Sequence, residues 1–319
     1  MEIRPYNADS EEGEALRLWE AALGEVWPIA RAAFRLRTND PRCAAPGNSL
    51  GAWSRDRMVG FVSAQCPAAG DASGRPAGIL VLLVDPEHRR KGLGRRLHDA
   101  ALAWLWERGA RCASLGVAGY TYFWPGVSTS LPGAWEFARA LGWEETGRTF
   151  DLVADLDESR TPDWVCQRPL EHGVIVAPAS AADAVAILAF EARHFPYWLA
   201  YYEERARHGP WSDVFVAKAP DGELVGTSYV VDARREWERD DLTPWCGRLD
   251  PSLGGVGPLG VAEDWQGRGI GLALAAAVTD ELRHRGLRQS FVGYTWLSEW
   301  YGRLGYLMWE EYRQSTREL

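Results

Sequence analysis

Apolar positions recur along this chain with two periods, and the same succession of periods is written twice. Leu93, Leu97, Ala101 and Leu105 return every four residues, as do Ile270, Leu274, Val278 and Leu282. That spacing predicts one buried face of a helix in each case. A short apolar run precedes each helix, Gly78–Leu83 and then Gly255–Gly260, and predicts a strand. Gly109 and Gly286 stop the helices, and the strand candidates Cys112–Val117 and Ser290–Thr295 follow. Between strand and helix lie Val84-Asp-Pro-Glu-His-Arg-Arg-Lys-Gly92-Leu-Gly94 and Val261-Ala-Glu-Asp-Trp-Gln-Gly-Arg-Gly269-Ile-Gly271, which align without a gap at an offset of 177 residues. Both copies then reach a Leu-Gly-aromatic triplet, Leu141-Gly142-Trp143 and Leu304-Gly305-Tyr306. The offset there falls to 163, so the first copy carries 14 extra residues, and Tyr122–Gly133 is the natural place for them.

The repeat extends upstream. Gly51–Ala64 reads as a hairpin turning at Ser54–Arg57, and Val214–Val231 as one turning at Pro220-Asp221-Gly222. Amphipathic helices are expected at Glu11–Leu23 and Ala181–Arg193. Two tandem α/β domains with mixed sheets follow, at 1–156 and 172–319, joined by a polar, Pro-containing linker at 157–171.

In each copy a strand runs through a loop with two spaced glycines into a helix. Free N–H groups at a helix start, aided by the macrodipole, suit a phosphate, and glycine lets the backbone come close. Arg89, Arg90 and Lys91 add charge in one copy and Arg268 in the other. The loop is neither a P-loop nor a dinucleotide fingerprint, because GxxxxGK[ST] is absent and neither copy carries three spaced glycines followed by an acid at a second strand end. A tight turn with solvated arginines is the alternative reading.

Composition narrows the classes. The chain has 319 residues, 46% hydrophobic and 25% charged, which suits globular domains. A net charge of −9 argues against nucleic acid and favours cationic partners such as amines. The five cysteines, Cys43, Cys66, Cys112, Cys166 and Cys246, form no CxxC pair and are odd in number. They read as reduced structural thiols, with no metal site. With no signal segment and no long apolar run, a cytoplasmic protein away from membranes is expected.

Arg89-x-x-Gly92-x-Gly94 and Gln266-x-x-Gly269-x-Gly271 resemble the (Arg/Gln)-x-x-Gly-x-(Gly/Ala) signature of the GNAT acetyltransferases. The resemblance covers nearly the whole chain as two copies. It implies that Gln266, Gly267, Arg268, Gly269, Ile270, Gly271 and Leu272 cradle the pyrophosphate of acetyl-CoA. Leu259, Gly260 and Val261 would then pair with its pantetheine, and a backbone N–H there would polarise the thioester. Val84, Arg89, Arg90, Lys91, Gly92, Leu93 and Gly94 would make a second such site.

Many members of that family carry an acid tyrosine four residues before the glycine of a (Phe/Tyr)-Tyr-x-x-Leu-Gly-(Phe/Tyr) motif. The second copy reads Trp300-Tyr301-Gly-Arg-Leu304-Gly305-Tyr306, which makes Tyr301 the expected general acid. Ala138 stands in its place in the first copy, which is therefore expected to be weak or structural, unless Tyr120 or Tyr122 serves instead. Glu263, Asp264 and Glu299 lie near the right elements, but none is singled out as a base. His194, Trp198 and Trp296 are expected on the substrate side. The second half also resembles bacterial two-domain enzymes that acetylate glucosamine and glucosaminides, and the tandem layout resembles mycothiol synthase. A small-molecule amine substrate follows, with aminoglycosides and polyamines open. A non-catalytic acyl-CoA sensor and a protein N-acetyltransferase are the competing classes. A monomer or a homodimer is compatible with two copies in one chain.

Overall fold

A computed structural model describes residues 1–24, 26–39, 48–68, 74–119, 121–235 and 248–319. The chain forms two compact units, one built mainly from Met1–Phe150 with Glu310–Leu319, the other mainly from residues 151–235 and Leu249–Trp309.

The first unit begins with strand β1 (Glu2–Pro5) and helices α1 (Ala8–Leu23) and α2 (Arg31–Thr38). The Asn7 side chain accepts from Asp9 N–H, and Glu11 accepts back from Asn7 N–H, so the start of α1 is closed from both sides. The hairpin β2 (Ser49–Ser54) and β3 (Arg57–Gln65) turns where the sequence expects it. β4 (Gly78–Val84) pairs with β3 from Gln65↔Gly78 to Gly60↔Val84. Helix α3 (Leu93–Glu107) buries Leu93, Leu97, Ala101 and Leu105, the predicted face, against Val59, Val62 and Ile79. Gly109, at φ 87°, ends it. β5 (Cys112–Leu115) is followed by the short pairs β6 (Val117–Ala118) and β7 (Thr121–Tyr122), by β8 (Val127–Ser128), and by helix α4 (Ala134–Ala140). β9 (Glu144–Asp155) supplies its first seven residues to this unit and the rest to the second.

In the second unit the expected linker carries a helix, α5 (Asp163–Leu170), which lays Val165 and Pro169 inward. Then come β10 (Ile175–Pro178), α6 (Ala184–His194), α7 (Leu199–His208), and the hairpin β11 (Val214–Lys218) and β12 (Leu224–Asp232). The apolar run expected as one strand is two, β13 (Leu253–Val256) and β14 (Gly260–Val261). Pro258, which has no N–H to give a ladder, lies between them. Helix α8 (Ile270–His284) packs Ile270, Leu274, Val278 and Leu282 against Phe215, Val225 and Val230. Each such leucine, fully buried, contributes about 1.5–3 kcal/mol. β15 (Gln289–Thr295), helix α9 (Ser298–Gly302) and β16 (Leu307–Glu318) complete the chain. The last ten residues return to the first unit, where Ser114↔Thr316 and Cys112↔Glu318 pair β5 with β16.

No described helix is long and apolar enough to cross a membrane. Cys66, Cys112 and Cys166 are free thiols; Cys112 and Cys166 are exposed, so they do not fill a core as the sequence suggests. Cys43 and Cys246 lie outside the described residues.

Candidate active site

The two glycine loops fold alike. Arg90 and Gly92 in the first, Gly267 and Gly269 in the second, hold φ of 61°, 81°, 77° and 79°. This left-handed backbone turns successive N–H groups to one side. From Arg90 to Arg95 and from Gly267 to Leu272 the backbone N–H groups find no acceptor among the described residues. The first helical bonds are Arg96 N–H to Gly92 O (3.2 Å) and Ala273 N–H to Gly269 O (3.1 Å). Neither helix has a side-chain cap. Each loop is thus a row of open donors at a positive helix end, suited to a phosphate.

The side chains of the loops face elsewhere. Gln266 Nε2 donates to Val261 O and Arg89 Nε to Val84 O, both at 3.1 Å. Arg268 donates to Asp264 O (3.0 Å) and Lys91 to Glu87 O (2.8 Å). These groups satisfy strand-end and turn carbonyls that would otherwise be orphaned, and so fix the loop's shape. The donors left for a ligand are those of the backbone and, in the first loop, the exposed Arg90 side chain. Val84, Leu93, Ile270 and Leu272 contribute packing beneath it.

A glycine at the second position of each helix meets an aromatic ring. A Cβ at Gly94 would stand 3.1 Å from Phe137, and one at Gly271 3.3 Å from Trp300, with Leu259 and Val261 at 3.5 and 3.6 Å. Loop, strand and helix α9 therefore meet at one point.

Beside it the sheet splits. β13 pairs with β15 only as far as Gly255↔Phe291, although β15 runs on to Thr295. Ala262 N–H bonds Val225 O at 2.9 Å. In an antiparallel ladder alternate residues turn away, so Val261 and Leu259 aim their N–H groups from β12 into the split. Leu259 N–H has no acceptor among the described residues. Its peptide is held from behind, since the Tyr202 hydroxyl donates to Pro258 O at 2.9 Å. Gly257 N–H bonds Tyr229 O at 2.8 Å. Gly260 has to be glycine, because a Cβ there would stand 2.2 Å from the Phe195 ring.

Tyr301, on α9, is 7% exposed. Its ring meets Trp300 edge-on (4.7 Å between centroids) and Tyr306 (5.7 Å). Its hydroxyl makes no hydrogen bond among the described residues, and burial pushes its pKa up, so it stays protonated. The opposite wall is the α6–α7 corner. His194 packs on Phe190 (4.8 Å), and Trp198 stacks on Phe195 (4.9 Å). Trp296, after β15, is 70% exposed and has no ring partner.

The corresponding region of the first unit is filled by apolar side chains. Ala138 lies in its core beside Leu141 and Trp143. The extra segment brings Phe123 and Trp124 against α1 and α2. There Trp124 stacks on Trp19 (5.5 Å, 5°), and Phe34 meets Trp19, Phe61 and Phe123. Tyr122 gives its carbonyl to Arg37 (2.8 Å); Tyr120 lies outside the described residues. Glu263, Asp264 and Glu299 are exposed.

Two residues near the site escaped the sequence reading. Arg168 of α5 lays its stem over Gly269, with Cγ 2.5 Å from the place of a Cβ. Glu191 is wholly buried on α6. Its signal was present, a carboxyl beside Ile187 and Phe190 on the inward face of an amphipathic helix.

A model of the acetyltransferase (GNAT) family matches residues 14–122 and again 183–306. A protein of Clavibacter michiganensis named mycothiol acetyltransferase is 29% identical over 238 residues, 67% of this chain and 66% of its own length. One of the same name from Thermobispora bispora is 29% identical over 304 residues, 91% of this chain and 88% of its own. A solved structure described as the glucosamine N-acetyltransferase region of a fungal multi-domain GH3 β-N-acetylglucosaminidase superposes on 99% of this chain. Its TM-score is 0.87 at 28% identity, and the match covers 38% of that protein.

Proposed function

Because the chain belongs to the acetyltransferase (GNAT) family, we propose that its second copy moves an acetyl group from acetyl-CoA to the primary amine of a small molecule. The substrate class is an amino sugar or a conjugate of one. The observation that carries this reading is Tyr301, a buried tyrosine whose hydroxyl has no partner among the described residues, beside a split strand and an open glycine loop. The residues fit the cofactor's chemistry. Gly267–Leu272 present unpaired N–H groups for its pyrophosphate, and nothing stands within 4 Å of a Cβ at Gly267.

Three tasks fall to this copy. Leu259 N–H holds the thioester oxygen as it gains charge; one such donor contributes roughly 10²–10³-fold. The walls of the split hold amine and thioester in attack geometry. Tyr301 gives its proton to the sulfur as the C–S bond breaks. The α6–α7 corner, with His194, Phe195 and Trp198, supplies aromatic faces for the body of the substrate.

The names of the relatives support an amine borne on an amino sugar. Two forms remain, the free sugar amine and a cysteinyl amine on an amino-sugar conjugate. A panel of glucosamine, a glucosaminide, a cysteinyl-glucosamine, a polyamine and a lysine peptide separates them, read as CoA thiol release. Turnover of an amino-sugar compound above the polyamine and the peptide is expected. Tight acetyl-CoA binding with no release to any amine would favour a sensor instead.

A further inference from the structure

A buried carboxyl is expensive unless it is paired, and Glu191 has no exposed surface. Its Oε1 accepts from the Thr227 hydroxyl, while its Oε2 has no partner. Thr227 faces Gly260 across the β12–β14 ladder, and residues so paired share a face. The Phe195 ring against Gly260 marks that face as the α6 side. The Tyr202 hydroxyl donates to Pro258 O, while the Thr227 hydroxyl gives its proton to Glu191. Pro258 O belongs to the same peptide as Leu259 N–H. Thr227, which holds the carboxyl, is therefore paired with the residue next to the peptide that faces the thioester.

The first copy is an internal control. Phe61 pairs with Leu83 where Thr227 pairs with Gly260, and the inward residues at the matching turn of α1 are Leu18 and Trp19. A carboxyl is buried on α1 too, Glu12, but Arg31 pairs with it at 2.7 Å. Glu191 forms no ion pair among the described residues, so nothing of that kind offsets its charge.

We infer that Glu191 is the base of the second copy, taking a proton from the substrate's ammonium. This rests on the acetyl-transfer reading. An N–H bond of the ammonium breaks, its proton passes to Oε2, and the nitrogen keeps the electron pair. That pair forms the N–C bond at the thioester carbonyl, the C–S bond breaks, and the sulfur takes the Tyr301 proton. Tyr301 recovers a proton from the new amide nitrogen, and Glu191 releases its own to solvent. Burial pushes the Glu191 carboxyl up to about 7, and the Thr227 hydrogen bond opposes this in part. The titratable groups facing it are Tyr202 from α7 and Tyr197 from the corner before it. Burial raises both, so they stay neutral as it ionises. β12 presents Thr227 and β14 presents a glycine. The active form is the carboxylate, so kcat/KM rises with pH through about 7.

The test is the pH profile of kcat/KM with glucosamine for wild type, Glu191→Gln and Thr227→Val. Methoxyamine, already neutral at the pH used, serves as a second acceptor, and calorimetry of acetyl-CoA binding checks each fold. The wild type shows the limb near 7. Glu191→Gln loses it and falls about 10²–10⁴-fold with glucosamine, yet falls much less with methoxyamine and binds acetyl-CoA unchanged. Thr227→Val shifts the limb upward, because the carboxylate loses a donor. A limb that survives in Glu191→Gln with its midpoint unmoved, or an equal loss with both amines, overturns the base and leaves the acetyltransferase reading standing. A wild type that acetylates no amine while binding acetyl-CoA overturns both.

Discussion

The two glycine loops share backbone angles, a row of open N–H groups and the same internal clamps, yet only one stands beside a tyrosine. The difference begins one helix later, where Trp300-Tyr301 faces Phe137-Ala138. It continues across the sheet, where the first unit seats Trp19, Phe34, Phe61, Phe123 and Trp124 while the second places Glu191, Thr227 and Tyr202. The loop geometry is thus a property of the repeated frame. The two copies differ in a few side chains set around it.

The largest expected effect breaks this comparison at its centre. Tyr301→Phe removes the proton for the leaving sulfur and keeps the packing against Trp300 and Tyr306. The kcat for the best amine should fall about 10²–10⁴-fold, with acetyl-CoA affinity unchanged by calorimetry. Adding Ala138→Tyr should restore nothing, because the amine side of that copy is filled by rings. Recovered turnover in the double variant would mean that the first copy lacks only its acid.

Next come the two helix faces. Leu97→Ala and Leu274→Ala each leave a cavity under a buried helix, and each should cost about 2–5 kcal/mol in urea unfolding. Only Leu274→Ala should also lower turnover, since α8 carries the working loop.

Much of this was legible in the sequence. A period of four residues, two stop glycines and a gapless offset were enough to place α3 and α8, because a helix face is a local pattern. A short motif singled out Tyr301, and the structure puts it on α9; its proton-donating role belongs to the proposal. The split of β13 from β14 was not, since an apolar run gives no sign of where pairing ends; Pro258 was the clue. The loop cations pointed to phosphate by charge, whereas Arg89, Lys91 and Arg268 bond carbonyls four or five residues back, and Arg89 also bonds Ala22 O, which a linear reading does not weigh. The last strand returning to the first unit, and α5 covering Gly269, are contacts between distant segments that no local pattern encodes.

A smaller effect sharpens the contrast between loops. Gly92 and Gly269 share a positive φ, but nothing stands near a Cβ at Gly92, whereas Arg168 crowds one at Gly269. Gly92→Ala should cost about 1 kcal/mol from backbone strain alone. Gly269→Ala should cost more and also weaken acetyl-CoA binding, because the Arg168 stem has to move off the loop. Equal losses in the two variants would mean that Arg168 yields freely.

The smallest effect concerns a backbone position where the copies differ in residue type but not in shape. Arg90 holds φ 61° where the second loop has Gly267 at 77°. A side chain in that region strains the backbone, whereas glycine adopts it freely. The Arg90 side chain is exposed, so removing it uncovers no core. Glycine also raises the entropy of the unfolded chain, which takes back part of the gain. Arg90→Gly should therefore stabilise the first unit slightly, by no more than about 1 kcal/mol, read as a small rise in the urea midpoint. Turnover should stay unchanged, since the working loop is the other one. A loss of turnover would tie the first loop to catalysis and end the division of labour between the copies.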